Sequence, residues 1–196
     1  MLLSFEPIHL YISLAVLAAA LTGLWVLGKD LSYLFFFAIF GIYLIGVVSV
    51  VIFPIYIPER GTYAIGGLQF NLTPFYFDKC DFLCLRLIYE NILLTIPFGF
   101  GIHFISRVKR QNIIWLAGAV GLALELIQMI ISLFARSPFR VFDINDVFFN
   151  AIGVLAGYGL FRIFGWLYLY MMQRFGIPQN YLFAYIYEVT RRSTDT

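Results

Sequence analysis

The chain has 196 residues, of which 62% are apolar and only 12% are charged. A soluble domain carries roughly 45–50% apolar and about 25% charged residues. This composition therefore excludes a soluble globular domain, a disordered chain and a disulfide-rich secreted module. The mean hydropathy of +0.89 is typical of a helical integral membrane protein. We predict an all-α, polytopic membrane helix bundle that forms a single domain over residues 1–196.

Five apolar stretches are each long enough to cross a hydrocarbon core of about 30 Å at about 1.5 Å per residue. Helices are expected because open strands cannot satisfy their backbone groups in lipid. No Lys or Arg precedes the first stretch, so we interpret it as a retained span rather than a signal peptide. The predicted spans are Ile8–Leu27, Leu31–Phe53, Leu87–Ile105, Ile113–Phe134 and Val147–Tyr170.

The basic residues predict the orientation of the bundle. Arg107, Lys109 and Arg110 crowd the short loop between the third and fourth spans, which the positive-inside rule places in the cytoplasm. Alternation of the spans then places the N-terminus outside and the C-terminus inside. The inner side receives eight basic and three acidic residues, whereas the outer side receives five basic and eight acidic residues. All three tryptophans fall near the predicted inner interface, where indole rings prefer to lie.

The predicted outer segment, Pro54–Leu85, is not a continuous helix because it contains three prolines and the Gly66–Gly67 pair. It is also rich in aromatic residues, which argues against a solvated linker. We expect it to fold back onto the outer end of the bundle. Asn71 and Pro74 predict a turn within it.

Three further features are interpreted as structural. The tail Phe175–Thr196 alternates aromatic and polar residues at helical spacing, which predicts an interfacial helix at the inner surface followed by a disordered stretch. Cys80 and Cys84 are too few for a disulfide framework and share one helix face. His103, near the inner end of the third span, is interpreted as a snorkelling residue rather than a ligand.

The fourth span carries polar residues that are costly inside a membrane. At about 100° per residue, Glu125, Gln128, Ser132 and Arg136 form one stripe about 80° wide. An unpaired carboxylate in lipid would take up a proton, so Glu125 must be neutral, paired or open to a water-filled cavity. Two interpretations remain: a ligand site, or a polar clamp that holds helices together.

The segment that enters the fifth span repeats this geometry. Asp143, Asp146 and Asn150 lie on one helix face, and Gly153 and Gly157 continue that face as a small-residue packing surface. The face should therefore pack inward and deliver two carboxylates and an amide to the outer end. Alternatively, the two aspartates lie there because the helix dipole favours acidic residues in the first turn.

The third span carries an ion pair and a polar stripe. Arg86 and Glu90 are spaced to form an i, i+4 ion pair at the outer interface. Asn91, Thr95 and Gly99 form a separate stripe on the same helix. The stripe predicts that Asn91 faces the other polar residues of the bundle.

We expect these stripes to converge on one cavity in the outer half of the bundle, because burying them separately against lipid would cost several kcal/mol per unpaired charge. Arginine binds phosphate or carboxylate, whereas carboxylates and amides bind hydroxyl groups or amines. The predicted ligand-binding residues are Asn91, Glu125, Gln128, Arg140, Asp143, Asp146 and Asn150.

Four stretches together carry a family resemblance. They are Asn71–Phe75 (N-L-x-P-F), Asn91–Phe100 (N-I-L-L-F-x-P-F-G-F, with Thr95 at the Phe position), Glu125–Gln128 (E-x-x-Q) and Arg140–Val147 (R-x-F-D-I-D-D-V, with Asn145 at the middle acidic position), the last followed by Asn150 and Gly153. In this order the chain resembles the VanZ-like family, which is named for a glycopeptide-resistance accessory protein. The motif-bearing part covers about residues 71–158, and it marks Asn71 and Pro74 as the outer-loop motif.

The resemblance implies a multi-pass protein of the bacterial plasma membrane. Some members of the family are associated with reduced susceptibility to teicoplanin-type antibiotics. The first functional interpretation is therefore a cell-envelope protein whose outward-facing pocket binds a lipid-linked, sugar-bearing or antibiotic headgroup. Its expected partners are membrane lipids, a lipid-linked cell-wall precursor or a glycopeptide antibiotic.

Two other classes stay open. In an intramembrane enzyme, Glu125 would be the acid or base, and Asp143 or Asp146 would hold Mg²⁺ or Ca²⁺. The third class is a small transporter or scramblase, or a subunit of a complex. The sequence contains no nucleophile with an activating base, so we assign no catalytic residue. It also contains no nucleotide-binding loop, no HExxH motif and no twin-cysteine metal spacing, and we assign no metal, no cofactor and no nucleic-acid partner. It does not predict an oligomeric state.

Overall fold

The computed structural model describes residues 2–56, 70–75, 82–135, 142–176 and 180–194. Within these ranges the protein is a helix bundle, and five of its helices are long and apolar enough to cross a membrane, which confirms the predicted fold class. The helices are α1 (Pro7–Val26), α2 (Leu31–Val51), α3 (Phe82–Ile105), α4 (Ile113–Ala135), α5 (Ile144–Phe175) and α6 (Tyr181–Thr194), with a short 3₁₀ turn at Arg110–Asn112.

Two pairs of very short strands close one end of the bundle. β1 (Leu2–Leu3) pairs antiparallel with β2 (Ile55–Tyr56), and β3 (Phe70–Asn71) pairs in parallel with β4 (Phe142–Asp143). We call this end, where Glu90, Asp143 and Asp146 lie, the acidic end. The opposite end, with Lys29, the 106–112 connection and α6, is the basic end.

Helix α5 is longer at both ends than the predicted span. It begins at Ile144 because the Asp143 side chain caps it, accepting a hydrogen bond of 2.8 Å from Asn145 N. It ends at Gly176, whose φ of 58° places it in the left-handed conformation that terminates helices. At about 1.5 Å per residue its 32 residues span roughly 48 Å, so it extends beyond a hydrocarbon core of about 30 Å.

The centre of the bundle is the contact between α3 and α5. A Cβ atom at Gly157 would overlap the Ile96 carbonyl oxygen and lie 2.9 Å from Phe100 N. Gly153 meets the backbone of Ile92 in the same way. The small-residue face predicted on α5 is therefore the surface on which α3 packs. Val154, between these two glycines, is fully buried.

The outer surface of the bundle is apolar, as expected for helices in lipid. Helix α1 contains no buried residue. Trp25, Trp115 and Trp166 are 65–79% exposed, and they lie toward the basic end on α1, α4 and α5. Their exposed indole rings fit a membrane interface at that end.

Helix α6 docks across the basic end, where the sequence predicts a tail helix. Its Val189 packs with Phe104 and Phe161 in a buried apolar cluster. The Tyr185 hydroxyl donates a hydrogen bond to the Phe104 carbonyl oxygen. Burial raises the pKa of Tyr185 to about 12, so the hydroxyl stays protonated as this donor. The tail is therefore part of the folded bundle.

Two minor interpretations need correction. His103 does not snorkel: it is only 8% exposed, and its ring stacks on Phe161 with the centroids 4.4 Å apart. Helix α6 packs over this region because its apolar side reaches the same cluster. Cys84 is disulfide-bonded rather than a simple packing residue. The only other cysteine in the sequence, Cys80, lies outside the described residues.

Candidate functional site

Asn145 organises the acidic end. Its Oδ1 accepts a hydrogen bond of 2.6 Å from Phe75 N, and its Nδ2 donates to the Thr73 carbonyl oxygen at 3.2 Å and to Asp143 Oδ1 at 2.9 Å. The side chain is 6% exposed. Since the amide both donates and accepts, it fastens the 70–75 segment to the start of α5 in a way that a carboxylate could not.

The outer-loop motif is held by Asp143. Asn71 Nδ2 donates to Asp143 Oδ2 at 3.0 Å, and Asn71 Oδ1 accepts from Thr73 N at 3.3 Å. The second bond is the turn predicted from Asn71 and Pro74. The described part of the outer segment, residues 70–75, therefore folds back onto the bundle, where Phe75 also stacks on Phe148.

Glu125 lies beneath the hydrogen bonds that Asn145 and Asp143 make to the 70–75 segment. It is 3% exposed, and its Oε2 accepts a hydrogen bond of 3.3 Å from Asp143 N. This contact ties α4 to the beginning of α5, which fits the clamp interpretation. Ser132, one of the same stripe, is also buried, and Arg136 lies outside the described residues.

A cleft of about 340 Å³ opens beside this clamp, between α2, α3, α4 and α5. Its polar wall contains a hydrogen bond of 2.6 Å from Asn91 Nδ2 to Asp146 Oδ1. Gln128 Nε2 donates to the Val51 carbonyl oxygen at 3.5 Å across the cleft. The cleft is lined by Val50, Val51, Leu87, Glu90, Asn91, Leu94, Gln128 and Asp146.

Glu90 stands at the edge of the cleft in the ion pair that the sequence predicts. Arg86 Nε lies 2.6 Å from Glu90 Oε1, and both side chains are more than half exposed. An exposed pair of this kind contributes at most about 1 kcal/mol to stability. Its effect on the cleft is to orient the Glu90 carboxylate.

Asn150 lies deeper than the cleft, between α3 and α5. It is 2% exposed, and its main-chain carbonyl oxygen accepts a hydrogen bond of 2.8 Å from Thr95 Oγ1. Its side-chain Oδ1 has no hydrogen-bond partner among the described residues. Arg140 lies outside the described residues, so its place in the predicted cavity stays a prediction.

The structure thus divides the predicted site into layers. Asn91, Gln128 and Asp146 share the cleft, whereas Glu125 and Asp143 form the clamp beside it and Asn150 is buried below. A ligand-binding role for each of them stays a prediction.

Sequence reasoning missed two residues of this region. The sequence indicates only an ion pair for Glu90, and its place in the cleft was not signalled, because adjacent residues of a helix point in different directions. For Asn145 the sequence indicates only a departure from an acidic motif position. Its place between two aspartates at a helix start was the available signal, since an amide there can bridge carboxylate and backbone groups.

The polar side chains of the cleft are two carboxylates, Glu90 and Asp146, and two amides, Asn91 and Gln128. In the part of the chain that the structure describes, no group of three His, Cys, Asp or Glu residues is arranged to hold a metal ion. Ionised carboxylates accept hydrogen bonds, and amides both donate and accept. Such a wall fits hydroxyl and ammonium groups.

Comparison with known proteins gives one match. The sequence model described as VanZ/LLP1 matches residues 40–165, which is more than half of the chain. The matched region includes the whole acidic-end cleft and omits α1 and α6. No curated protein and no solved structure matches the chain.

Proposed function

Because the chain belongs to the VanZ/LLP1 family and has five helices suited to cross a membrane, we propose that it binds the polar headgroup of a membrane or antibiotic ligand in its acidic-end cleft. The observation that carries the proposal is the cleft itself, in which Asn91, Gln128 and Asp146 come together from three helices. This convergence exposes groups that a purely structural clamp would bury.

The lining favours a sugar-bearing or amine-bearing headgroup. The carboxylates of Glu90 and Asp146 accept hydrogen bonds from hydroxyl or ammonium groups, and the amides of Asn91 and Gln128 complete the recognition of hydroxyls. Valine and leucine side chains from α2 and α3 form the apolar part of the wall. A volume of about 340 Å³ lies at the lower end of the usual range for ligand sites, about 300–1,000 Å³. One sugar-sized group fits it.

Two observations support an orientation with this cleft outside the cell. The basic loop that includes Arg107, Lys109 and Arg110 lies at the opposite end, which the positive-inside rule assigns to the cytoplasm. Cys84, in the first turn of α3 at the acidic end, is disulfide-bonded, and disulfides persist in oxidising compartments. The ligand then comes from the outer leaflet or the medium.

In a bacterial plasma membrane, these properties fit a lipid-linked cell-wall precursor or a glycopeptide antibiotic. The resemblance to proteins associated with reduced teicoplanin susceptibility favours the same ligands. We propose that the protein acts by binding at the cell envelope and that antibiotic susceptibility changes as a result.

Binding to the full-length protein in neutral detergent tests this proposal, with teicoplanin and a lipid-linked disaccharide-peptide precursor as separate probes. Asp146→Asn removes the charge and keeps the size of the side chain. Because a hydrogen bond to a charged group contributes about 1.5–3 kcal/mol, we expect binding weaker by about tenfold to a hundredfold. Asp30→Asn, at the basic end, is the isosteric control and should bind like the native chain. Equal binding by the two variants would contradict a headgroup site in this cleft.

A cellular assay extends the test to the predicted arginine. If expression lowers teicoplanin susceptibility in a sensitive bacterium, Asp146→Asn and Arg140→Ala should each restore it at equal protein level. If both variants keep full activity, this site is not responsible for the change in susceptibility. Turnover of the lipid-linked probe by the native chain, with Glu125→Gln inactive, would replace binding by catalysis as the function.

A further inference from the structure

A second pocket lies at the basic end of the bundle. It has a volume of about 350 Å³ and is bounded by the end of α3, the loop that follows it and the last turns of α6. The polar groups that line it are His103, Ser106, Arg107, Lys109, Arg192 and Ser193. About 18 Å of helix α3 separates His103 from Asn91, at about 1.5 Å per residue, so this pocket is distinct from the acidic-end cleft.

The charge of the pocket is one-sided. Three cationic side chains line it and no carboxylate does. Arg192 is paired with Glu188 on the exposed side of α6. Within the described residues, neither Arg107 nor Lys109 forms an ion pair, and both are exposed. The pocket therefore has an excess of positive charge facing a membrane interface.

His103 provides a buried polar group on the inner wall. It is 8% exposed and is held by stacking on Phe161. Its Nε2 is buried without a hydrogen-bond partner among the described residues. Leaving such an atom without a partner costs free energy, and an Nε2–H group would recover it by donating to an anionic oxygen.

The shape of the pocket is maintained by contacts between α5 and α6. Arg162, on α5, donates a hydrogen bond to the Ser193 carbonyl oxygen and so holds the end of α6. Thr190 is fully buried against α5 next to Gly165. The pocket is thus built by docked helices and is more than a cluster of surface charges.

From the one-sided charge and the buried imidazole nitrogen, we propose that this pocket binds a phosphate-bearing anion. Arg107 and Lys109 would contact the phosphate oxygens from the loop side, and His103 would donate from the inner wall. Basic pockets between helix ends at a membrane surface suit anionic lipid headgroups, and a free phosphate has the same chemistry. The proposal does not depend on the function of the acidic-end cleft.

Binding to the full-length protein in neutral detergent tests the proposal with three probes: dihexanoyl phosphatidylglycerol, dihexanoyl phosphatidylcholine and inorganic phosphate. We expect Arg107→Gln and Lys109→Gln each to weaken phosphatidylglycerol binding by about fivefold or more. Arg110→Gln is the matched control, because it removes a charge from the same connection but does not line the pocket. It should change binding by less than about twofold.

The probes also identify the source of the anion. Binding of phosphatidylglycerol alone supports a lipid headgroup, whereas binding of inorganic phosphate as well supports a free anion as a ligand. Equal binding of phosphatidylcholine, no binding of either anion, or equal weakening by Arg110→Gln and Lys109→Gln would overturn the proposal. His103→Phe, which keeps an aromatic ring against Phe161, should weaken anion binding too. The two loop variants decide the question if that buried variant does not fold.

Discussion

Alanine at Gly157 should separate the two central helices of the bundle. The added Cβ would overlap the Ile96 carbonyl oxygen and lie 2.9 Å from Phe100 N and 3.0 Å from Gly99 Cα. All three neighbours belong to the backbone of α3, so no side-chain rotation can make room. Overpacking of this kind costs about 1–3 kcal/mol, and we expect the full effect here because α3 must move as a unit.

Gly159→Ala is the matched control on the same helix. Among the described residues, no atom apart from the adjacent residues and the local backbone of α5 lies within 4 Å of the position of its Cβ. Alanine is favoured over glycine in a helix by about 0.8–1.0 kcal/mol. The propensity gain is the same for both variants, whereas the clash occurs only at Gly157. The free energies of unfolding of the two variants should therefore differ by about 1–3 kcal/mol, which is the overpacking cost alone.

Thermal unfolding followed by circular dichroism in one detergent, at one scan rate, measures this difference. At about 2–4 °C per kcal/mol for a chain of this size, Gly157→Ala should unfold roughly 2–12 °C below Gly159→Ala. The scan rate is kept constant because membrane proteins commonly unfold irreversibly. Equal unfolding midpoints for the two variants would refute the argument that backbone contact between α3 and α5 is the central packing of the fold.

Two further predictions concern the basic end and the orientation. Tyr185→Phe removes the hydrogen bond to the Phe104 carbonyl oxygen and should destabilise the protein by about 1 kcal/mol. Tyr181→Phe is the control, because Tyr181 is 94% exposed, and it should leave the unfolding midpoint unchanged. A larger loss of stability in Tyr181→Phe than in Tyr185→Phe would argue against docking of α6. In intact cells, the cysteine of Arg110→Cys should not react with an impermeant maleimide, because the loop is predicted to be cytoplasmic. It should react after the membrane is opened. Labelling in sealed cells would show that the predicted orientation is wrong.

Much of the fold follows from the sequence alone. A run of about 20 apolar residues must become a helix in lipid, since its backbone groups have no other partners. The five predicted spans therefore correspond to α1–α5, and the small-residue face of α5 could be predicted from the spacing of Gly153 and Gly157. The ends were less predictable, because α5 begins and ends where the Asp143 cap and Gly176 place its limits rather than where hydropathy falls.

The candidate site shows the limit of such patterns. Periodicity indicates which residues share a face of one helix, and it correctly grouped Asn91 with the inward side of α3. It does not indicate how deep a residue lies or which neighbour it meets, because these depend on the rotation and approach of several helices. Glu125 and Gln128 share one stripe on α4, yet Glu125 is hydrogen-bonded beneath β4 and Gln128 lines the cleft.

The tertiary structure also decided which residues act together across long stretches of sequence. Asn145 bonds the 70–75 segment, about 70 residues earlier in the chain, and His103 is buried with its ring stacked on Phe161, 58 residues later. Each of these contacts requires chain segments that no local pattern connects. The sequence by itself determined the number of membrane-spanning helices and their apolar character, because these depend on local periodicity and on the solvent. Only the assembled bundle decided which polar groups are buried, exposed or brought into one pocket, because that depends on the simultaneous packing of helices distant in sequence.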